Sequence, residues 1–148
     1  SNAAMAEELM KVNADSLGAV GRAKFDELTG KIYPDACKKQ YRAAKEAYDS
    51  GEYDTVISSL ETVMQMDESY NDGAAMLLLA QGYEKKGDQD KANTTYQKII
   101  ETWPDTDVAT QAQQALDAQS GNTDNSDSKK SDDTKKNSDN DDNGDNNN

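Results

Sequence analysis

One stretch of this chain occurs twice, and no other feature of the sequence restricts the fold as strongly. The segment GEYDTVISSLETVMQM begins at Gly51, and GDQDKANTTYQKIIET begins 36 residues later at Gly87. Apolar or small residues occupy matching places in the two copies: Val56 with Ala92, Leu60 with Tyr96, Val63 with Ile99 and Met64 with Ile100. A period in the range of roughly 20 to 50 residues is typical of arrays in which one small unit stacks on the next.

Each copy is preceded by a second segment with helical periodicity, CKKQYRAAKEAYDS before Gly51 and AAMLLLAQGYEKK before Gly87. The unit is therefore predicted to be a helix, a glycine turn and a second helix. In the later unit, residues at helical spacing form one apolar face on each helix: Met76, Leu79, Ala80 and Tyr83, then Tyr96, Ile99, Ile100 and Trp103. Leu77 and Leu78 widen the first of these faces, so we expect that helix to be the central one.

The residues at the predicted helix ends fit their positions. Gly51 and Gly87 are expected to end helices with a positive φ, which glycine adopts without steric cost. Asp88 and Thr106 are expected to cap the helices that follow them. Pro34 suits the first turn of a helix, where its missing N–H costs nothing.

The composition changes sharply near residue 120. Residues 121–148 contain no Val, Ile, Leu, Met, Phe, Trp or Tyr, and their eight Asp and four Lys give a net charge of −4 out of −13 for the chain. Such a segment cannot bury enough apolar surface to offset its chain entropy, so we predict a disordered acidic tail. An acidic chain repels phosphate backbones, so nucleic acid is not expected as a partner.

The N-terminal region is predicted to hold one or two helices interrupted by glycines. Residues 1–3 resemble the scar of an expression tag, and no apolar run is long enough to span a membrane. Because Ala4 and Met5 follow the scar, we hypothesise that the chain is a fragment of a larger bacterial protein. In that hypothesis a signal peptide or membrane anchor has been removed, which would make the protein extracytoplasmic.

The second unit resembles a tetratricopeptide repeat, a family that repeats at about 34 residues with large and small residues at fixed places. Counted from Gly73, the residues that carry the resemblance are Met76, Leu79, Ala80, Tyr83, Gly87, Ala92, Tyr96, Ile99 and Pro104. The first unit departs from the pattern at Ala47, where tyrosine is usual. The ending IIETWPDTDVATQAQQAL is similar to tetratricopeptide-repeat proteins of the bacterial envelope.

The resemblance implies an all-α array of antiparallel helix pairs that binds a peptide or helix in its concave groove. By position, the groove would be lined by Lys38, Tyr41, Lys45, Tyr48, Ala74, Leu77, Gln81, Glu84 and Lys85. The tyrosines and the leucine would anchor a partner, and the lysines would attract an acidic or C-terminal carboxylate group. Lys45 and Gln81 stand where the carboxylate-clamp members need asparagine, so chaperone recognition of that kind is not expected.

An alternative is a structural or oligomerisation module, in which Phe25 or Leu28 from the N-terminal segment fills the groove or the chain forms a homodimer. An enzyme is not expected, since the chain has no histidine and no recognisable catalytic framework. One hypothesis would still make the chain an enzyme: a redox role for Cys37, in which the neighbouring lysines lower the pKa of its thiol. We also predict no cofactor and no metal, because the calcium-loop match that begins at Asp139 lacks its closing glutamate.

These interpretations divide the chain into a scar, an N-terminal helical extension, a repeat domain and a tail. The boundaries are predicted at 1–3, 4–33, 34–119 and 120–148, with repeats at about 37–70 and 73–106 and a capping helix at 106–119.

Overall fold

The computed structural model describes residues 1–124, and within that range the chain is all-helical. Six α-helices follow one another: α1 Asn2–Met10, α2 Ala19–Asp49, α3 Tyr53–Met66, α4 Ala74–Lys86, α5 Gln89–Thr102 and α6 Asp107–Asp124. Each helix packs against the one before it. The predicted array of antiparallel helix pairs is confirmed. Of the tail predicted at 120–148, residues 120–124 belong to α6, and residues 125–148, with the calcium-loop match, lie outside the described residues.

The two glycine turns have the same geometry, as the repeat predicts. Gly51 has a φ of 75° and Gly87 a φ of 88°. In both turns the residue after the glycine donates its N–H to the carbonyl five residues earlier, at 2.8 and 2.9 Å. This is the hydrogen bond that closes a helix on a left-handed residue.

Three of the four matched pairs of the two copies form the centre of the core, and the fourth pair, Met64 and Ile100, is half-buried. The six residues of the three pairs are at most 1% exposed: Val56, Leu60 and Val63 on α3, and Ala92, Tyr96 and Ile99 on α5. Helix α4 lies between α3 and α5 and contacts both. It buries seven of its 13 residues, which confirms it as the central helix. At Gly82 a Cβ atom would lie 3.0 Å from Val56, so glycine lets α3 approach closely.

The turn between α3 and α4 is more contorted than the sequence suggests. Asn71, Asp72 and Gly73 all have a positive φ, a conformation that asparagine and aspartate tolerate better than other side chains. The ring of Trp103, at the end of α5, packs on Gly73 so closely that a Cβ atom there would lie 2.8 Å from it. Glycine is therefore required at this position both for its φ and for space.

The predicted caps are confirmed, and α6 is longer than predicted. The Asp88 side chain accepts a hydrogen bond from the N–H of Lys91, and Thr106 accepts one from the N–H of Ala109. Helix α6 extends to Asp124 rather than ending at 119.

The predicted helix start at Pro34 is wrong, because α2 is one helix of 31 residues with Pro34 in its interior. Gly21 and Gly30, which were expected to interrupt it, also lie inside. Ion pairs from Glu27 to lysines on the same helix, at 2.7 and 3.0 Å, and packing against α1 support this part of the helix. The predicted boundary at 33 and 34 therefore falls within a continuous helix.

Helix α1 packs on the first half of α2 and forms a small second core. Ala6 of α1 and Ile32 and Ala36 of α2 are buried there, with Leu9 and Met66 at the edge. Met66 belongs to α3, so this second core also borders the first repeat.

Candidate functional site

The predicted binding residues of α2 form one stripe along its second half. Lys38, Tyr41, Lys45 and Tyr48 follow one another at spacings of three, four and three residues, which keeps them on one side of a helix. The lysines are exposed and the tyrosines are half-buried at the border of the core. The stripe therefore offers cationic groups above partly accessible rings.

Helix α4 carries the equivalent stripe. Ala74, Leu77, Gln81 and Glu84 lie 36 residues after the four stripe positions of α2, and α2 and α4 contact each other. We call the two stripes together, with Lys85, the α2–α4 face.

The predicted residues of α4 differ in accessibility. Gln81 is half-buried and Lys85 exposed, whereas Leu77 is only 7% exposed and belongs to the core. Helix α4 is apolar around most of its circumference and has a neighbour on two sides, which explains why Leu77 is covered. The exposed Glu84 carboxylate accepts a hydrogen bond of 2.6 Å from the hydroxyl of Tyr96, so it also has a structural contact.

Each tyrosine of the stripe is held by a second tyrosine, which the helical periodicity of the sequence does not indicate. Tyr41 meets Tyr70, in the turn before α4, edge to face at 5.6 Å between ring centres. Tyr48 meets Tyr53, at the start of α3, in the same manner at 5.6 Å. Tyr70 and Tyr53 could not be predicted from periodicity, because one lies in a turn and the other at the start of a helix.

The charges of this face differ from those elsewhere in residues 1–124. Of the twelve Lys and Arg side chains there, eight lie within ion-pair distance of a carboxylate. The four that form no ion pair with another residue of 1–124 are Lys38, Lys39, Lys45 and Lys85. Three of these belong to the α2–α4 face, and the Nζ of Lys45 lies 5.9 Å from the ring centre of Tyr41.

The N-terminal segment lies away from this face. Around the axis of α2, Ile32 and Ala36, on which α1 packs, are about 150° from the two tyrosines. Phe25 and Leu28 belong to the same continuous helix as Tyr41, which puts them about 24 and 20 Å from it along the axis. Neither residue can reach the space beside Tyr41 in the way the alternative required.

Cys37 is fully buried and lines a cavity of about 350 Å³ with Tyr33, Met66, Asp67 and Tyr70 among its neighbours. Burial, and then the negative charge of Asp67, raise the pKa of the Cys37 thiol to about 11. The hypothesis that adjacent lysines lower this pKa is wrong, because their side chains point to solvent while the thiol points into the protein. A raised pKa disfavours the thiolate that a redox role requires.

Among residues 1–124, no helix combines the length and the apolar character that crossing a bilayer requires. The membrane anchor upstream and the similarity to envelope proteins stay predictions.

Comparison with known proteins supports the repeat. The family model described as tetratricopeptide repeat matches residues 74–106, which span α4, the Gly87 turn and α5. No curated protein and no solved structure matches the chain significantly. Repeats of this family are generally non-enzymatic modules for protein–protein interaction. Residues 74–106, which comprise α4, the Gly87 turn and α5, are therefore identified as a tetratricopeptide repeat within an all-helical array.

Proposed function

We propose that this chain is a protein-interaction module that binds an acidic segment of a partner protein on the α2–α4 face. The observation that carries the proposal is the position of the cations without an ion pair. In a chain with a net charge of −13, most cations of the described region are neutralised by a neighbouring carboxylate. Lys38, Lys45 and Lys85 form no ion pair with the described residues and lie on one face, where a carboxylate of a partner would complete the pairing.

The rings beneath the lysines support the same proposal. Tyr41 and Tyr48 are half-buried and each is held edge to face by another tyrosine. A side chain that is already held in place loses little conformational entropy when a partner binds. Tyrosines of this kind often supply much of the binding energy at protein interfaces. We expect a partner with apolar side chains beside its carboxylates.

The proposal is tested by fluorescence anisotropy with a labelled helical peptide that carries glutamates and leucines. A second peptide, in which every glutamate is replaced by glutamine, measures how much of the affinity comes from charge. We expect the acidic peptide to bind more tightly and its affinity to fall with added salt, because exposed charges are screened.

A matched pair of variants locates the binding face. Lys38→Glu and Lys39→Glu make the same charge change at adjacent residues, but the two side chains point about 100° apart around α2. Lys38→Glu should weaken binding, whereas Lys39→Glu should have a much smaller effect. Equal binding of the two peptides, or equal effects of the two variants, would contradict the proposal.

A further inference from the structure

The charges of residues 125–148 are divided unevenly along the sequence. Residues 125–136 contain four lysines and three aspartates, a net charge of +1. Residues 137–148 contain no basic residue and four aspartates: Asp139, Asp141, Asp142 and Asp145. We call residues 137–148 the acidic segment and residues 125–136 the spacer. The negative charge is thus concentrated beyond a spacer that is nearly neutral.

The acidic segment and the α2–α4 face are complementary in charge. Residues 1–124 contain 22 acidic and 12 basic side chains, a net charge of −10. The α2–α4 face contains three lysines and one acid, Glu84, so its net charge is +2 and that of the remaining described residues is −12. An acidic chain is therefore repelled by most of the described surface and attracted to this face.

The end of α6 brings the acidic segment within reach of the face. Helix α6 contacts α4, and α4 contacts α2. Because successive helices are antiparallel, α4 and α6 run in the same direction, so Asp124 at the end of α6 lies at the same end of the array as Lys85 in the last turn of α4. From α6 to α2 the distance is about two helix spacings, roughly 20 Å.

The length of chain between α6 and the acidic segment exceeds this distance. Lys38, the lysine of the face that lies farthest from the end of α2, is about 16 Å from that end along the helix axis. The residues that follow Asp124 up to Asp139 can span at most about 50 Å. All three lysines of the face therefore lie within reach of the aspartates.

We propose that the acidic segment binds the α2–α4 face of its own chain and competes there with the acidic partner. The inference rests on the function proposed for this face, since a competitor needs a ligand to exclude. A tethered segment acts at an effective concentration on the order of 1 mM. Contacts with a Kd of about 1 mM would therefore cover the face about half of the time and double the apparent Kd of a partner.

The acidic segment can neutralise the lysines but cannot replace a partner at the tyrosines. It contains no Val, Ile, Leu, Met, Phe, Trp or Tyr, so it has no apolar side chain to place against Tyr41 and Tyr48. A ligand that offers only carboxylates gains no contact that the tethered segment lacks. A ligand with apolar side chains beside its carboxylates gains the tyrosine contacts and displaces the segment.

Fluorescence anisotropy with the labelled peptide of glutamates and leucines tests the competition in the full chain. Two triple variants remove the same charge from the acidic segment and from the spacer: Asp139→Asn/Asp141→Asn/Asp142→Asn and, as the matched control, Asp127→Asn/Asp132→Asn/Asp133→Asn. At low salt we expect the first variant to bind the peptide about twofold more tightly than the unmodified chain, or better, and the control to change less. The difference should disappear in high salt, because exposed charges are screened. Equal affinities of the two variants at low salt would refute the competition.

Amide NMR spectra of the same three proteins without peptide test the contact itself. Between the unmodified chain and the acidic-segment variant, signals of residues 38–48 and 81–85 should shift, and those of α5 should not. Unchanged spectra would refute the contact. Shifts that appear only at high protein concentration would mean that the segment binds another copy, and would overturn the contact within one chain.

The two measurements separate this inference from the function proposed for the face. If the peptide binds in a manner that Lys38→Glu weakens, but equally tightly to all three proteins, the proposed function stands and the competition is refuted. If no acidic peptide binds while the spectra show the contact, the proposed function fails and only the contact within the chain is supported.

Discussion

Two tyrosines of the second repeat connect the core to the surface. The hydroxyl of Tyr83 donates to the carboxylate of Glu61 and that of Tyr96 donates to Glu84, both at 2.6 Å. Burial, and then the hydrogen bond to glutamate, raise the pKa of both tyrosines above the usual value. The rings fill the space between helices while the hydroxyls keep a polar partner, which a buried tyrosine needs.

The raised tyrosine pKa values predict a loss of stability in alkali. An unfolded tyrosine ionises near pH 10. Folded Tyr83 and Tyr96 keep their protons to higher pH, so above about pH 10 the unfolded state holds fewer protons than the folded state. The free energy of unfolding should therefore be constant with respect to these groups below pH 10. Above it, stability should fall by up to about 1.4 kcal/mol per pH unit for each tyrosine.

Urea denaturation at several pH values checks this prediction, with the double variant Tyr83→Phe/Tyr96→Phe as comparison. Both proteins will lose some stability from other groups that titrate in this range, so the difference between their slopes is the quantity to measure. The unmodified chain should show the steeper decline. Parallel declines would mean that the two hydroxyls do not hold their protons more firmly in the fold.

At the level of residues, the sequence predicts the core better than the candidate site. The stripe on α2 follows from periodicity, and its lysines, Lys38 and Lys45, are exposed. Leu77 is covered, because a central helix buries positions that are open on a helix with one neighbour. Tyr70 could not be foreseen as a partner of Tyr41, since the turn that positions it depends on three consecutive residues with positive φ.

Among the elements, the repeated turns were predictable and the length of α2 was not. Glycine turns and apolar spacing are local signals, and they recur at an offset of 36 residues. Gly30 and Pro34 are local signals against a helix, yet packing on α1 and a run of ion pairs outweigh them. Local propensity is a weak guide where tertiary contacts decide the conformation.

Replacing Gly87 and Gly30 by alanine is expected to change the stability of the chain in opposite directions. Gly87→Ala places a side chain at a φ of 88° and should destabilise the chain by roughly 1–2 kcal/mol. Gly30→Ala lies inside α2 with open space around its Cβ position and should stabilise it by roughly 0.5–1 kcal/mol. Urea midpoints of both variants measure the effects, and a shift of the same sign in both would contradict the assigned roles.

In the whole molecule, stability is expected to be unequal along the array. Each helix packs mainly on its neighbours in the chain, as in other repeat proteins. Helix α4 has a neighbour on both sides and its residues are largely buried, whereas α1 has nine residues and one buried side chain, Ala6. Local opening should therefore cost least at α1 and most at the centre of the array.

Hydrogen exchange followed along the chain measures this gradient. Amides of α4 and of the flanking α3 and α5 should exchange last, near the rate set by global unfolding, and amides of α1 should exchange first. If α1 exchanged as slowly as α4, the helices would open together as one unit and the expected gradient in stability along the array would be wrong.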